Sequence, residues 1–269
     1  MIIQSKNFNI KHIADSGQCF RMNQMNQDTY NLVAFGKYIE LTQQGPDTIE
    51  ITCSEEDYET IWKEYFDLSY QYDTIVTSLI NGEDIFLREA AAYGSGLRIL
   101  KQDLFEILIS FIISQRKNIP AIKSCIEQLS KKYGDKINHN NQTFYTFPTP
   151  ERLSNAKQSE LREIGLGYRD VYILKTSQAV ANGDIDLLKL KSCSNEEAMN
   201  QLKNLPGVGI KVANCVALYG LHQIDAFPID VWIARILNDI YNNQFELEQY
   251  NGYAGIVQQY MFYYIRNKK

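Results

Sequence analysis

The stretch LPGVGIK, Leu205 to Lys211, contains two glycines around one valine, with a lysine two residues after the second glycine. Glycine lets a backbone turn tightly and approach a ligand closely. A helix that begins near Ile210 would present free N–H groups and the positive end of its dipole. Such a turn can hold a phosphate group without basic side chains. The stretch therefore predicts a helix, a hairpin turn and a second helix over 202–220, although a plain connecting turn is an alternative.

Lys211 and Asp230 are the two residues on which a chemical function would depend. Lys211 lies in the first turn of the predicted helix, where the helix dipole disfavours a positive charge. A neutral amine is a nucleophile that can form a Schiff base with a sugar carbon. Asp230 follows in FPIDVW (227–232), where its carboxylate can assist deprotonation and stabilise positive charge on a sugar ring. The alternatives are a solvated lysine that contacts phosphate and an aspartate that only caps a helix.

Composition narrows the class of protein. The chain of 269 residues has no apolar run near the roughly 20 residues that a membrane span needs, and its N-terminus lacks a secretion signal pattern. Its five cysteines and three histidines are scattered. We therefore expect no disulfide framework, no metal site and no cofactor, and a location in a reducing cytoplasm.

The charge distribution is uneven. The net charge of −5 counts against a nucleic-acid-binding protein. However, residues 101–133 carry six Lys and Arg against three Asp and Glu, and residues 198–224 hold two lysines and no acidic residue. A small basic face on an acidic protein is therefore compatible with the sequence.

The pattern of apolar residues changes along the chain. Residues 30–52 alternate around a turn at 45–47, which predicts a β-hairpin, and an amphipathic helix follows over 58–66. From about residue 84 the pattern is helical, and a polar, Asn-rich loop is expected at 135–143. The main helices are predicted at 104–115, 123–134, from about 147, and at 194–205, 228–237 and 252–266. These segments predict an α+β fold, with a small antiparallel sheet followed by an all-helical body.

The Gly-x-Gly turn, Lys211 and the segment Pro228-Ile229-Asp230 together resemble the helix-hairpin-helix-GPD superfamily of DNA glycosylases. Members with the lysine excise a base and then nick the strand. No cysteine follows Cys215, which disfavours the branch with a four-cysteine iron–sulfur cluster. An N-terminal β domain matches the 8-oxoguanine DNA glycosylase branch. The resemblance implies an N-terminal α+β domain over 1–82 and a helical glycosylase region over 83–269, whose two helical subdomains flank the active site.

The resemblance also implies roles in a base pocket. SGQCFR (16–21) is similar to a family signature in which the carbonyl of Gly17 accepts a hydrogen bond from N7–H, a group that guanine lacks. Cys215 would pack on one face of the flipped base and Phe262 on the other. Gln258 would bind the Watson–Crick edge of the base. Without the resemblance, ordinary core packing explains Cys215 and Phe262, and a turn explains Gly17.

Further roles concern DNA. The hairpin residues Gly207, Val208 and Gly209 would hold a DNA phosphate. IGLGYRDVY (164–172) resembles the family's wedge loop, in which Tyr168 fills the stack and Arg169 reads the orphaned cytosine.

A second loop, ISQRKNI (113–119), corresponds to the family's other minor-groove loop and places Arg116 at the DNA. Here the sequence departs from animal members of the family. Gln115, Arg116 and Lys117 replace an Asn-rich run, and Ala121 replaces a second cytosine-reading arginine. The preference for cytosine opposite the lesion is therefore left open.

The preferred interpretation is a bifunctional 8-oxoguanine DNA glycosylase and AP lyase that acts as a monomer on damaged double-stranded DNA. One alternative is a glycosylase and lyase of the same fold for another oxidised base, such as an oxidised pyrimidine. The other is a non-catalytic helix-hairpin-helix module that only binds DNA. Lys211 and Asp230 argue against the module, because a binding hairpin needs neither of them.

Overall fold

A five-stranded antiparallel sheet occupies the N-terminal part of the chain in the computed structural model, which describes residues 1–268. The order of its strands is β1-β5-β4-β3-β2. A helical body follows, so the predicted α+β class is confirmed. The strands of the sheet are β1 (Ile2–Gln4), β2 (Met22–Gln24), β3 (Thr29–Ala34), β4 (Lys37–Gly45) and β5 (Thr48–Ile51).

Two β-hairpins, where the sequence predicted one, form most of this sheet. The predicted turn at 45–47 joins β4 to β5 and contains a register shift between Gln43 and Gly45. A second tight turn at Phe35 and Gly36 joins β3 to β4, and both residues have positive φ. It was missed because a Phe-Gly pair inside an alternating apolar run looks like a continuing strand.

The helical body contains the predicted helices with small shifts at their ends. The helix predicted at 123–134 begins earlier, at Ile119, because Asn118 Oδ1 accepts a hydrogen bond from the Ala121 amide at 2.9 Å and caps it. Two π-helical turns (Tyr58–Trp62 and Arg162–Leu166) and one 3₁₀ turn (Leu247–Tyr250) interrupt the pattern. The α-helices are α1 (Ile10–Asp15), α2 (Glu55–Asp57), α3 (Lys63–Tyr65), α4 (Tyr72–Ile80), α5 (Ile85–Tyr93), α6 (Leu104–Ser114), α7 (Ile119–Tyr133), α8 (Pro150–Ser154), α9 (Gln158–Leu161), α10 (Arg169–Ala181), α11 (Leu187–Leu190), α12 (Asn195–Lys203), α13 (Ile210–Tyr219), α14 (Val231–Asp239) and α15 (Ala254–Asn267).

The prediction of a loop at 135–143 was wrong. Strand β6 (Lys136–His139) pairs with strand β7 (Gln142–Tyr145) in a separate antiparallel β-hairpin. Its turn is Asn140-Asn141, and both residues have positive φ, at 47° and 61°. Asparagine tolerates this left-handed conformation, which two-residue hairpin turns need. The Asn-rich composition therefore marks the turn of a β-hairpin and not a whole loop.

Helix α6 is the centre of the helical body and positions the site. All of its residues except Glu106 and Ser114 are buried, as its nearly continuous apolar sequence predicted. It packs against α7, α10 and α13, and so brings the hairpin turn close to the loop that follows α6. Within residues 1–268, no helix is both long and apolar enough to cross a bilayer. The domain boundary between residues 82 and 83 stays a prediction.

Candidate active site

The hairpin turn between α12 and α13 has the predicted architecture. Gly207 has a φ of 79°, and a Cβ there would lie 2.5 Å from the ring of Tyr172, so only glycine fits. Gly209 caps α13 with extended backbone and open space around it. Val208 is buried, so this part of the turn can offer a ligand its backbone but hardly its side chain.

Lys211 lies in the first turn of α13, as predicted, and lines a cleft of about 1010 Å³. Its Nζ lies 5.2 Å from the centroid of the Phe111 ring, at the distance of a cation–π contact. The aromatic ring and the half-buried position hold the amine at the wall of the cleft.

Asp230 lines the same cleft and caps α14. Its Oδ1 accepts hydrogen bonds from the amides of Trp232 and Ile233, both at 2.9 Å. The cap that the sequence offered as the plainer explanation is therefore present. It does not exclude a chemical role, because the same bonds fix the carboxylate at the wall that it shares with Lys211.

Cys215 lies one helical turn after Lys211 and lines the cleft. Burial raises the pKa of its thiol to about 11, and the nearby lysine counteracts this only partly. The side chain is therefore a protonated, weakly polar surface at neutral pH. Such a surface can pack against the face of a base.

The last helix contributes Gln258 and Phe262, which line the cleft four residues apart. The Gln258 side chain donates through Nε2 to the carbonyl of Pro228 at 3.0 Å. Its Oε1 is buried and has no hydrogen-bond partner in the described part of the chain. A buried acceptor without a partner is costly, so this oxygen is suited to a ligand that donates.

Gly17 lies against Phe262 at the far wall of the cleft. Its φ is 79°, and a Cβ there would lie 3.2 Å from Cε1 of Phe262 and 3.3 Å from Cδ1 of Ile119. A side chain would thus be strained and would crowd the cleft. The structure brings Gly17, Cys215, Gln258 and Phe262 into one cleft with Lys211 and Asp230.

Two predicted DNA-binding residues, Tyr168 and Arg169, lie outside this cleft. Tyr168 is 50% exposed, in keeping with a wedge, but Arg169 is only 6% exposed. The Arg169 guanidinium donates to the carbonyls of Leu166 and Gln115 and lies over the Tyr168 ring. In the free protein this arginine is therefore bonded within the chain and does not face solvent.

Arg116, in contrast, is exposed and borders the cleft with its backbone at a positive φ of 51°. Its neighbours are anchored: Lys117 Nζ donates to the carbonyl of Gly165 at 2.9 Å, and Gln115 Nε2 donates to the carbonyl of Gly207 at 3.0 Å. Gln115 thus connects the Arg116 loop both to the hairpin turn and, through its own carbonyl, to Arg169.

Several residues in or beside the cleft were not predicted from the sequence. Phe20 and Phe111 pack edge to face at the wall, and Arg266 lies one turn beyond Phe262. Gln259 does not line the cleft but donates to the carbonyl of Ser16, beside Gly17. The spacing of Gln258, Phe262 and Arg266 by four residues was a usable signal for Arg266, whereas no local pattern marks Gln259.

Comparison with known protein families agrees with this geometry. Residues 1–108 match the family model for the N-terminal domain of 8-oxoguanine DNA glycosylase. Residues 109–249, more than half of the chain, match the model for HhH-GPD superfamily base excision DNA repair proteins. The chain belongs to the HhH-GPD superfamily. The hairpin turn, Lys211 and Asp230 all lie in the part that matches the superfamily model.

Individual HhH-GPD relatives are similar over most of the chain. A probable N-glycosylase/DNA lyase of Methanothermobacter thermautotrophicus is 32% identical over 75% of this chain and 72% of its own length. The 8-oxoguanine glycosylase/lyase of Clostridium acetobutylicum, solved with double-stranded DNA that contains cytosine opposite 8-oxoG, is 35% identical, with a TM-score of 0.91 over 99% of this chain and 97% of that one. MBOgg1, solved with a low-affinity DNA ligand, is 38% identical, with a TM-score of 0.94 over 98% and 94% of the two chains.

Proposed function

We propose that the protein excises 8-oxoguanine from duplex DNA and then cleaves the strand at the resulting abasic site. The observation that carries the proposal is the single cleft in which an amine and a carboxylate lie with a stacking ring and a buried free acceptor. Relatives named as N-glycosylase/DNA lyases and as 8-oxoguanine glycosylase/lyase support it.

Chemistry begins at Lys211, whose neutral amine attacks C1′ of the flipped nucleotide. The N-glycosidic bond breaks, and the base leaves with the bonding electrons and takes up the proton that Nζ loses after its attack. The Nζ lone pair then forms the C1′=Nζ bond of a protonated Schiff base while the C1′–O4′ bond breaks, and O4′ takes up a proton from solvent. Loss of a proton from C2′ then expels the 3′ phosphate by β-elimination. Asp230 assists proton transfer and stabilises positive charge at the sugar.

The flipped base is recognised by the cleft residues that surround Lys211 and Asp230. Phe262 and Cys215 enclose the base between them, and Gln258 Oε1 accepts from its Watson–Crick donors. The Gly17 carbonyl accepts N7–H of the lesion, whereas guanine would present a lone pair there. A buried acceptor facing a lone pair costs about 1–3 kcal/mol, which discriminates between the two bases.

The rest of the DNA is bound at the edge of the cleft and outside it. The backbone at Gly207, Val208 and Gly209 holds a phosphate at the start of α13. Tyr168 fills the gap in the stack and Arg116 contacts the DNA, while Arg169 leaves the carbonyls of Leu166 and Gln115 to read the orphaned base. Because Ala121 follows the Arg116 loop, a second arginine is missing there, and we propose a relaxed preference for the opposite base. The protein acts as a monomer in the cytoplasm, associated with the nucleoid.

Borohydride trapping tests the function directly. One duplex carries 8-oxoguanine opposite cytosine and a second carries thymine glycol opposite adenine. An adduct on the first duplex alone, abolished by Lys211→Gln, is the expected result. An adduct on the second alone would keep the mechanism and overturn the roles of Gly17, Gln258 and Phe262. Binding without any adduct would favour a non-catalytic module, and trapping that survives Lys211→Gln would mean another nucleophile.

A further inference from the structure

Arg266 is a guanidinium at the wall of the base cleft to which the chemistry proposed above gives no task. It lies on α15 and lines the cleft together with Gln258 and Phe262. Its Nη1 is buried and has no hydrogen-bond partner among residues 1–268. Burial also lowers the pKa of this side chain, and within residues 1–268 no carboxylate lies within ion-pair distance of it. A buried N–H donor left unpaired is a cost that a ligand can remove.

Nη1 lies close to two other residues of the cleft. A Cβ built on Gly17 would lie 3.2 Å from Arg266 Nη1, and also 3.2 Å from the Phe262 ring. The guanidinium carbon Cζ lies 5.5 Å from the centroid of that ring. The donor therefore lies beside both the glycine and the stacking surface.

Three side chains form a row along one face of α15, because Gln258, Phe262 and Arg266 are spaced by four residues. The row spans roughly 12 Å at 1.5 Å per residue, and it offers an acceptor, an aromatic ring and a donor in that order. A purine that stacks on Phe262 with its Watson–Crick edge toward Gln258 directs its opposite edge, with N7 and C8, toward Arg266. O6 belongs to the Gln258 half of the base, so the acceptor that reaches Arg266 is the one on C8.

We propose that Arg266 donates a hydrogen bond from Nη1 to the C8 carbonyl oxygen, O8, of the flipped 8-oxoguanine. The lesion differs from guanine by two adjacent groups, the donor N7–H and the acceptor O8. The Gly17 carbonyl is the acceptor for N7–H, and Arg266 Nη1 beside it is the donor for O8. Arg266 is thus a specificity-determining residue for the lesion. This inference rests on the proposed function, because it requires 8-oxoguanine in the cleft.

The test measures single-turnover excision of 8-oxoguanine and of 8-thioguanine, whose C8 sulfur is a weaker acceptor, by the wild type and Arg266→Met. The wild type should excise 8-oxoguanine faster. Arg266→Met should slow 8-oxoguanine roughly 10- to 100-fold, the loss expected for a bond from a charged donor, and should bring the two rates together. Arg266→Lys, which keeps a charged donor, should recover part of the difference. Cleavage of a preformed abasic site, which has no base to contact, should be unchanged.

Arg88→Met is the matched control, because Arg88 is exposed on α5 and does not line the cleft. It should leave both excision rates at the wild-type level. Equal slowing of both bases by Arg266→Met, with their ratio kept, would overturn the proposal and make Arg266 a packing partner of Phe262. Unchanged rates in that variant would overturn it as well. A wild-type protein that fails to excise 8-oxoguanine at all would refute the proposed function instead. If Arg266→Met fails to cleave the abasic site, the substitution has damaged the active site. The ratio of the 8-oxoguanine and 8-thioguanine excision rates is then measured with Arg266→Lys instead.

Discussion

Gln259 Nε2 donates a hydrogen bond to the carbonyl of Ser16 at 2.7 Å, across 243 positions of the sequence. The amide oxygen of the same side chain accepts from the buried hydroxyl of Tyr219 on α13. One side chain therefore connects the turn that carries Gly17 with both the lysine-bearing helix and the last helix. The Ser16 carbonyl belongs to the peptide that precedes Gly17, so this connection helps to fix the backbone that carries the Gly17 carbonyl.

Replacing Gln259 with leucine should slow base excision by about tenfold or more. The change leaves the Ser16 carbonyl and the Tyr219 hydroxyl buried without a partner, at about 1–3 kcal/mol each. The Gly17 turn should then lose its fixed position. Excision of 8-oxoguanine and cleavage of a preformed abasic site are to be measured side by side, and only excision should fall strongly. An equal fall of both rates would show that the helix of Lys211 is displaced instead.

Replacing Asp230 with asparagine separates the chemical role of this residue from its cap. Asparagine caps a helix as well as aspartate does, so Oδ1 can still accept from Trp232 and Ile233. The thermal midpoint should therefore change little and DNA affinity should be nearly intact. Base excision should fall roughly 100-fold or more, the usual share of a proton-transfer group.

The control for this variant is Asp186→Asn, because Asp186 caps α11 through the same pair of bonds but does not line the cleft. It should leave excision unchanged. If Asp230→Asn instead lowers the thermal midpoint and retains the excision rate of its folded fraction, Asp230 is a cap and nothing more.

The thiol of Cys215 offers a prediction about pH. Burial raises its pKa to about 11, and thiolate is the form that reacts with iodoacetamide. At pH 8 the folded protein should therefore keep Cys215 unmodified, while the half-buried Cys193 reacts first. Reactivity of Cys215 should appear only as the pH approaches 11 or the protein unfolds. Mass spectrometry of peptides after alkylation measures this order, and early modification of Cys215 at pH 8 would contradict it.

Local patterns in the sequence were enough to predict the hairpin turn and the positions of Lys211 and Asp230 at the starts of two helices, whereas their chemical roles stay a prediction. Each depends on residues close together in the chain, such as the glycines before α13 and the cap of α14. The long helices were predictable for the same reason, since their apolar spacing is regular. The β-hairpin at 136–145 was missed because its signal lies in the backbone freedom of two asparagines and not in apolar alternation.

Long-range contacts could not be predicted in this way. Neither the bond from Gln259 to Ser16 nor the position of Arg266 beside Gly17 follows from spacing, because each joins opposite ends of the chain. The burial of Arg169 was also unexpected. Gly165 and Gly167 have positive φ, and the loop that contains them turns the carbonyl of Leu166 toward this guanidinium.

Arg169→Ala should affect both stability and recognition of the opposite base. In the free protein the side chain satisfies the carbonyls of Leu166 and Gln115, so its removal should lower the thermal midpoint by several degrees. It should also bring together the excision rates opposite cytosine and opposite adenine, because Arg169 must leave these carbonyls to reach an orphaned base. Differential scanning fluorimetry and single-turnover rates on the two duplexes measure the two effects.

Arg116→Ala is the matched comparison, because the Arg116 side chain is exposed and its loss should therefore cost little stability. One outcome is that Arg116→Ala equalises the two excision rates while Arg169→Ala lowers only the thermal midpoint. Arg116 then reads the orphaned base, and Arg169 has only the structural role of joining the two loops. If Arg169→Ala equalises the two excision rates, Arg169 reads the orphaned base, and its bonds to Leu166 and Gln115 hold it only in the free protein. Those bonds must then break before Arg169 binds the orphaned base, and the bonds that it forms with the correct base must offset their loss.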